Sequence, residues 1–420
     1  MKNADYFKNR KVAIVGLARS GLACANLLYS LGAQVKVTDN QDSDSTRLNA
    51  AKLKSKDIKL ELGKHSQGFL KDRDLLVVSP GVTDKALPLV WAREFRIPVI
   101  SEIEVGWILC PATIIAVTGT NGKTTVITLI GKILEASGKG VFVCGNIGNP
   151  FCSEVGKMEE ADFVSLEVSS FQLEKIHTFK PKVSVILNFS FNHLDRHKDM
   201  QEYLQAKKRI FMNQDKTDYL VLNQQDPAVK ELAKETKARV VYFSETQKLN
   251  PNQAAVLAVG TIFGADLSVC LKVFRDFKGI EHRLELVAEI NNIKFINDSK
   301  ATTVDSAIWA LKNILEPIIL IAGGRDKGND YSLILDLARK KIKKLVLIGE
   351  AKRKMQETFG GFLSVTEADS LEDSVRIAYA NATSGDCVLL SPMCSSFDMF
   401  SNYEERGRMF KRTVLSLINK

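Results

Sequence analysis

No uninterrupted apolar run in the 420 residues approaches the roughly 18–20 that a helix needs to span a bilayer, so no membrane insertion is expected. No secretory leader is expected either. The chain begins polar, and its first apolar stretch, residues 11–17, is short and strand-like. A cytoplasmic protein is the expectation. The seven cysteines (24, 110, 144, 152, 270, 387 and 394) form no CxxC pair and stand mostly in apolar contexts. That argues against disulfides or a thiolate zinc site and for buried free thiols. There is no low-complexity tract and no short internal repeat. With 45% hydrophobic and 25% charged residues, the composition excludes a disordered or collagen-like chain. Lys and Arg exceed Asp and Glu by 58 to 49, a net charge of +9, yet no aromatic–basic interleaving accompanies the excess. Polyanionic small substrates fit it better than nucleic acid.

What is present is alternation. Two or three domains are expected at this length. Apolar runs that read as strands alternate with helix-patterned stretches in three series. The first has strands at 11–17, 34–40, 75–81 and 97–102, and a helix at 20–32 stopped by Gly32. The second has strands at 112–119, 140–146, 161–170, 182–190 and 219–226, and closes with a helix at 252–264. The third has strands at 293–301, 317–324, 344–350 and 386–392. Strands separated by helices imply parallel sheets. The fold class is therefore α/β, with three tandem domains bounded at 1–108, 109–278 and 279–420. The basic clusters at 339–344 and 352–354 read as solvated helix ends.

The strongest local signal is TGTNGKTT, residues 118–125, between an apolar run and a helix pattern ended by Gly138. Gly119 and Gly122 let backbone N–H groups face phosphate oxygens, and the helix N-terminus adds its dipole. Lys123 would reach the β and γ phosphates, and Thr124 would offer a hydroxyl to Mg²⁺. The spacing departs from the usual phosphate-loop pattern, because Val117 occupies the first glycine position. Glu167 ends the apolar run of LEVSSFQLE, where ligand sites of open α/β sheets gather. His193 and Asp195, in NFSFNHLDRH, follow another strand. They could bind a metal or order a phosphate. Lys207 and Lys208, on a helix pattern at 202–213, read as solvated surface lysines. Asp298, Lys300 and Thr302 crowd one turn, Asp326 and Lys327 lie in a Gly-rich loop, and the segment 389–407 follows the last strand. Polar loops at strand ends across three domains suggest one shared cleft.

TGTNGKTT, GNIG, LEVSSFQLE, NHLDRH, GIEHR, NDSKATT and the SP-x-C-S-S-F-D run resemble the Mur ligases of peptidoglycan synthesis, in order and over essentially the whole chain. The last three sets, with GLARSGLA and SPGV near the N-terminus, are most similar to the members that add D-glutamate. The resemblance implies a Rossmann-like N-terminal domain for the sugar nucleotide, a central P-loop ATPase-like domain with a parallel sheet, and a Rossmann-like C-terminal domain for the amino acid. It implies ATP and two Mg²⁺ ions. It also implies amide-bond formation between UDP-N-acetylmuramoyl-L-alanine and D-glutamate through an acyl phosphate, by a monomer.

Residue by residue, the resemblance implies that Gly119, Thr120, Asn121, Gly122, Lys123, Thr124 and Thr125 hold ATP. Glu167 would help Thr124 with the first Mg²⁺. His193 would hold the second, with Lys207 as a carbamylated lysine. Asn250 would lie near the adenine, where Gln253 replaces a second Asn. Arg283 would approach the ATP phosphates, Asp298 the ribose or metal shell, and Lys300 the transferring phosphoryl group. Ala18, Arg19, Ser20, Asp39, Gly81, Asn146 and Ser169 would contact the sugar nucleotide. Thr302, Lys327, Ser396, Phe397 and Tyr403 would contact D-glutamate. Asn192 stands where an Asp is frequent, and Ala18 where Gly is frequent.

Two rivals are a sibling or folylpolyglutamate-type ligase adding another amino acid, and a nucleotide-dependent binding protein that does not ligate. The DNPR-type motif of relatives that add a diamino acid is absent. A pure binding protein has no need of Glu167, His193, Lys207 and Lys300 together.

Overall fold

The computed structural model describes residues 1–191, 196–326 and 328–418. They form two compact units, Met1–Phe277 and Lys278–Lys420.

The first unit holds two parallel sheets. One contains β1 (Lys11–Val15), β2 (Gln34–Asp39), β3 (Lys59–Leu62), β4 (Leu75–Val78) and β5 (Val99–Ser101), in the order β3-β2-β1-β4-β5. The other contains β6 (Thr113–Thr118), β7 (Val141–Gly145), β8 (Phe163–Glu167), β9 (Val183–Ile186), β10 (Tyr219–Asn223) and β11 (Arg239–Phe243), in the order β11-β10-β9-β6-β8-β7. Their central strands are apolar without alternation, as strands covered on both faces must be. Val12–Val15 and Ile114–Val117 are essentially inaccessible. One apolar cluster runs from Ile14 and Leu28 in the first sheet layer to Phe151, Phe179 and Leu220 in the second. The joining helix Glu102–Leu109 packs so closely that a Cβ on Gly106 would lie 2.3 Å from the Phe151 ring. Buried Glu104 on that helix accepts from the backbone N–H groups of His177, Thr178 and Phe179.

The second unit has one mixed sheet of β12 (Glu285–Ile290), β13 (Ile293–Asn297), β14 (Ile318–Gly323), β15 (Ile342–Ile348), β16 (Ser364–Glu367) and β17 (Cys387–Leu390). Its order is β12-β13-β17-β14-β15-β16. Only β12 pairs antiparallel. In all three sheets strand order changes direction beside a central strand, so polar loops collect at the C-terminal ends of β1, β6, β13 and β14.

The strand runs read from the sequence all form strands. Four more, β3, β11, β12 and β16, were not legible. Each lies at a sheet edge and is half exposed, so its apolar content is thin. The basic run 339–344 is a solvated helix end only to Lys341; Ile342, Lys343 and Lys344 already belong to β15. All seven cysteines are free and buried. Among the described residues no helix is long and apolar enough to cross a membrane.

Candidate active site

The phosphate loop grows from β6. Gly122 takes φ +84° and caps the helix Lys123–Ala136, leaving that helix's first N–H groups directed into the loop. Gly119 also has positive φ, and a Cβ there would come within 3.0 Å of Leu187. Two distant segments brace the loop. The side chain of Asn188, after β9, accepts from Asn121 N at 2.8 Å and donates to Asn121 O at 3.1 Å. Asn252, in the first turn of the helix Pro251–Ile262, approaches so closely that a Cβ on Gly122 would lie 2.4 Å from its Oδ1. Lys123 curls over the loop, its Nζ donating to the carbonyls of Gly119 and Thr120 at 2.9 Å each. Thr125 follows in the first helical turn.

Beside the loop, at the end of β8, Glu167 is 1% exposed and accepts from both sides. Thr124 Oγ1 donates to Oε2 at 2.7 Å and Asn146 Nδ2 to Oε1 at 2.9 Å. A bond to a carboxylate of this kind is worth about 1.5–3 kcal/mol, and it fixes a hard anionic oxygen next to the loop. The Thr124 hydroxyl and Glu167 carboxylate are the oxygen donors that Mg²⁺ prefers, so the residues present fit that ion.

Lys207 is the largest departure from the local reading of the sequence. It lies on the helix Met200–Lys208, at a position that reads as solvent-facing, yet it is 1% exposed. Its Nζ donates to Gly119 O at 2.9 Å and lies 4.5 Å from the centre of the Tyr203 ring. Burial, and then the Lys123 ammonium, push its pKa well below the usual lysine range, with Glu167 opposing. Lys208 points outward to Glu235. His193, Asn192 and Asp195 lie outside the described residues.

In the first sheet, Ala18 is the N-cap of the helix Arg19–Ser30, which carries Ser20 in its first turn. Gly21 packs so tightly on the turn that a Cβ would lie 1.9 Å from Gly16 O. Asp39 accepts from Leu17 N at 2.7 Å and Gln41 N at 2.9 Å, tying the ends of β1 and β2 together. Arg19 donates to Gly148 O at 3.3 Å, in the loop that also carries Asn146. Arg196 donates to Gly81 O at 3.3 Å and Val82 O at 2.8 Å. These bonds hold the turn after β4 to the layer that carries the phosphate loop. Ser169 caps the turn Ser170–Leu173 in a reciprocal pairing with Gln172. Asn250 and Gln253 pair the same way at the start of Pro251–Ile262, so both serve the helix cap.

In the second unit, Asp298 is 4% exposed and burial raises its pKa to about 7. It accepts from Ser391 Oγ at 2.9 Å and Leu284 N at 3.3 Å, and the Arg283 charge opposes the rise. Lys300 Nζ lies 5.7 Å from the Tyr403 ring centre, and Thr302 N donates to Lys300 O. Ser396 is buried, its carbonyl accepting from Met399 N and Phe400 N, whereas Phe397 is 58% exposed. Lys327 lies outside the described residues.

The sequence reading missed four residues that hold these loops: Asn188, Asn252, Tyr203 and Arg406. Arg406 is 1% exposed and donates to Ser299 Oγ, Ser299 O and Cys394 O. It thereby joins the loop of Asp298 and Lys300 to the segment of Ser396. Only the cap of Pro251–Ile262 had a local signal, an Asn followed three residues later by Gln.

Three family models match the chain: Mur ligase MurD-like, N-terminal domain, over residues 10–101; Mur ligase middle domain over 117–291; and Mur ligase, glutamate ligase domain, over 282–394. The UDP-N-acetylmuramoylalanine–D-glutamate ligase of Geotalea uraniireducens is 42% identical over 443 residues, covering 97% of this chain and 98% of the relative. The protein of the same name from Thermoanaerobacter pseudethanolicus is 39% identical over 449 residues, covering 98% and 99%. Among solved structures, the UDP-N-acetylmuramate-alanine ligase of Thermotoga maritima shares the fold with a TM-score of 0.62 at 19% identity, covering 97% of this chain and 100% of that one. A pseudomurein peptide ligase type C from Methanothermus fervidus does so with a TM-score of 0.59 at 17% identity and the same coverage. With all three domains matched and relatives of about 40% identity spanning nearly its full length, this chain belongs to the Mur ligase family.

Proposed function

We propose that the chain is an ATP-dependent ligase that joins D-glutamate to UDP-N-acetylmuramoyl-L-alanine in peptidoglycan precursor synthesis. The observation that carries the reading is the group of half-buried Lys123 and buried Thr124, Glu167 and Lys207 around one phosphate loop, in a chain whose near-full-length relatives bear that ligase name. We take residues 1–108 to hold the sugar nucleotide, 109–278 ATP, and 279–420 the amino acid, in a cytoplasmic monomer that binds no nucleic acid.

A carboxylate is a poor acyl donor because its leaving group would be oxide. Its oxygen therefore attacks the γ-phosphorus of ATP, the bond to the ADP oxygen breaks, and an acyl phosphate forms. The D-glutamate nitrogen then adds to the acyl carbon, the C–O bond breaks, phosphate leaves, and the ammonium of the new amide loses its proton. Lys123 and the loop N–H groups neutralise the phosphates, and Lys300 steadies the moving phosphoryl group. Mg²⁺ would supply further charge neutralisation, held by Thr124 and Glu167, with a second ion held by His193 and a carbamylated Lys207. Burial, which lowers the Lys207 pKa, favours the neutral amine that can add to CO2: the N–C bond forms, one proton leaves, and the amine becomes an anion able to bind metal. Asp298 and Arg283 serve the nucleotide. Thr302, Lys327, Ser396, Phe397 and Tyr403 would receive D-glutamate, and Asp39, Arg19, Gly81, Asn146 and Ser169 the sugar nucleotide.

The test is an amino-acid panel. Purified protein is incubated with ATP, Mg²⁺ and UDP-N-acetylmuramoyl-L-alanine, and phosphate release is followed. Release is expected with D-glutamate. Release with L-alanine or a diamino acid, and none with D-glutamate, would overturn the specificity. No release with any amino acid, despite ATP binding, would favour the non-ligating reading.

A further inference from the structure

We propose that His197 is a positioning residue for the reaction: its imidazole holds the Tyr203 ring, and through that ring the Lys207 amine, against the phosphate loop. The proposal rests on the placement of Lys207 in the ligase site described above.

Among the described residues, four rings lie in series. Phe171 stacks on His197 with centroids 5.4 Å apart and planes at 29°. His197 faces Tyr203 at 5.2 Å and 33°, and Tyr203 faces Phe189 at 5.3 Å and 36°. The guanidinium of Arg196 closes the Phe171 end at 5.0 Å. The two outer rings belong to segments that build the site. Phe171 follows Glu167 and Ser170 after β8, and Phe189 stands between Asn188 and Ser190, which bond the phosphate loop. The two inner rings are 3% and 1% exposed.

His197 does more than fill space. A ring nitrogen, Nε2, lies 3.0 Å from Ser170 Oγ, which sets the plane of the imidazole. A fixed plane sets the tilt of Tyr203. Tyr203 and Lys207 are four residues apart on one helix face, so the ring lies directly under the lysine stem. The Lys207 amine donates to a neutral carbonyl, Gly119 O, and its stem has four rotatable bonds. The ring is therefore what confines the stem, and displacement of a reacting group by about 1 Å can cost on the order of 10² in rate.

The experiment compares His197→Ala, His197→Leu and His197→Phe with the natural protein. The direct readout is the rate at which acetic anhydride acetylates the Lys207 amine in CO2-depleted buffer, measured by mass spectrometry, with Lys36 on β2 as the internal control. We expect labelling of Lys207 to rise at least tenfold in the Ala and Leu variants, with Lys36 unchanged, and to rise by a smaller factor in the Phe variant, which keeps a flat ring but loses the bond to Ser170. Turnover should fall in the same order with the KM for ATP held within about threefold, since the loop itself is intact. Lys207 labelled at the natural rate in the Leu variant would overturn the proposal, even if the Ala variant unfolds and exposes Lys36 as well. A ¹³C carbamate signal is recorded in parallel under ¹³CO2. Its absence from the natural protein, with Lys207 still protected there and released in the Leu variant, would remove the carbamate reading and leave the positioning role standing.

Discussion

The Thr124 hydroxyl donates to the Glu167 carboxylate at 2.7 Å, across 43 residues of chain, from the helix that follows β6 to the end of β8, the neighbour of β6 in the sheet. The second residue of the helix after the phosphate loop is thus matched to a buried anion. Glu167→Gln keeps the size and removes the charge. Phosphate release should fall by about 10²–10³, and far more Mg²⁺ should be needed for half-maximal rate. Activity and Mg²⁺ response like those of the natural protein would detach Glu167 from the chemistry.

The two lysines of the site should separate in their response to added acid. Lys123→Ala should abolish ligation, because the phosphates lose their nearest cation, and no small molecule should restore it. Lys207→Ala should be strongly impaired but partly rescued by short carboxylic acids, which can stand in for a carbamate. Phosphate release assayed with and without about 0.1 M acetate or propionate separates the two. Full activity of Lys207→Ala without additives would refute its role.

Glu102 offers a test of pH dependence away from the chemistry. It is 1% exposed, its Oε1 accepts from Cys152 N at 2.6 Å, its Oε2 has no hydrogen-bond partner among the described residues, and burial raises its pKa to about 7. A raised carboxyl pKa means that the folded chain holds a proton which the unfolded chain gives up near pH 4.5. The contribution to stability is present below that value and is lost as pH rises through about 7. Glu102→Gln can keep the bond to Cys152 N without a charge. Urea unfolding should show the natural protein losing, between pH 5 and 8, stability that the variant retains. Parallel pH profiles would show that Glu102 is ionised in the folded state.

Gly21 is fixed by close approach. Its Cβ position lies 1.9 Å from Gly16 O, so Gly21→Ala must push the helix Arg19–Ser30 off the turn that follows β1. A destabilisation of about 1–3 kcal/mol is expected. The KM for the sugar nucleotide should rise, while the KM for ATP stays within twofold. A variant with the thermal midpoint and both KM values of the natural protein would show that the turn has room.

The phosphate loop was legible because everything it needs is local: an apolar strand, two glycines, a lysine and a helix. The same holds for the long central strands, whose burial on both faces is written as unbroken apolar runs. Edge strands such as β16, Ser364–Glu367, were not legible, because a half-exposed strand carries no such run. Lys207 and Lys208 are adjacent and chemically identical, and no local pattern says which is buried. Resemblance to a family singled out Lys207; the residues by themselves read as surface.

By itself, then, the sequence determined three α/β series, the loop at 118–125, the helix stops at Gly32 and Gly138, and the family. Tertiary structure decided which polar side chains meet. It put Lys207 on the carbonyl of Gly119, 88 residues away, under the ring of Tyr203. It turned Arg196 to the carbonyls of Gly81 and Val82, more than a hundred residues back. The physical reason is that backbone propensity and turn chemistry act over a few residues. Burial and its effect on charge belong to pairs that only the packing of sheets and helices brings together.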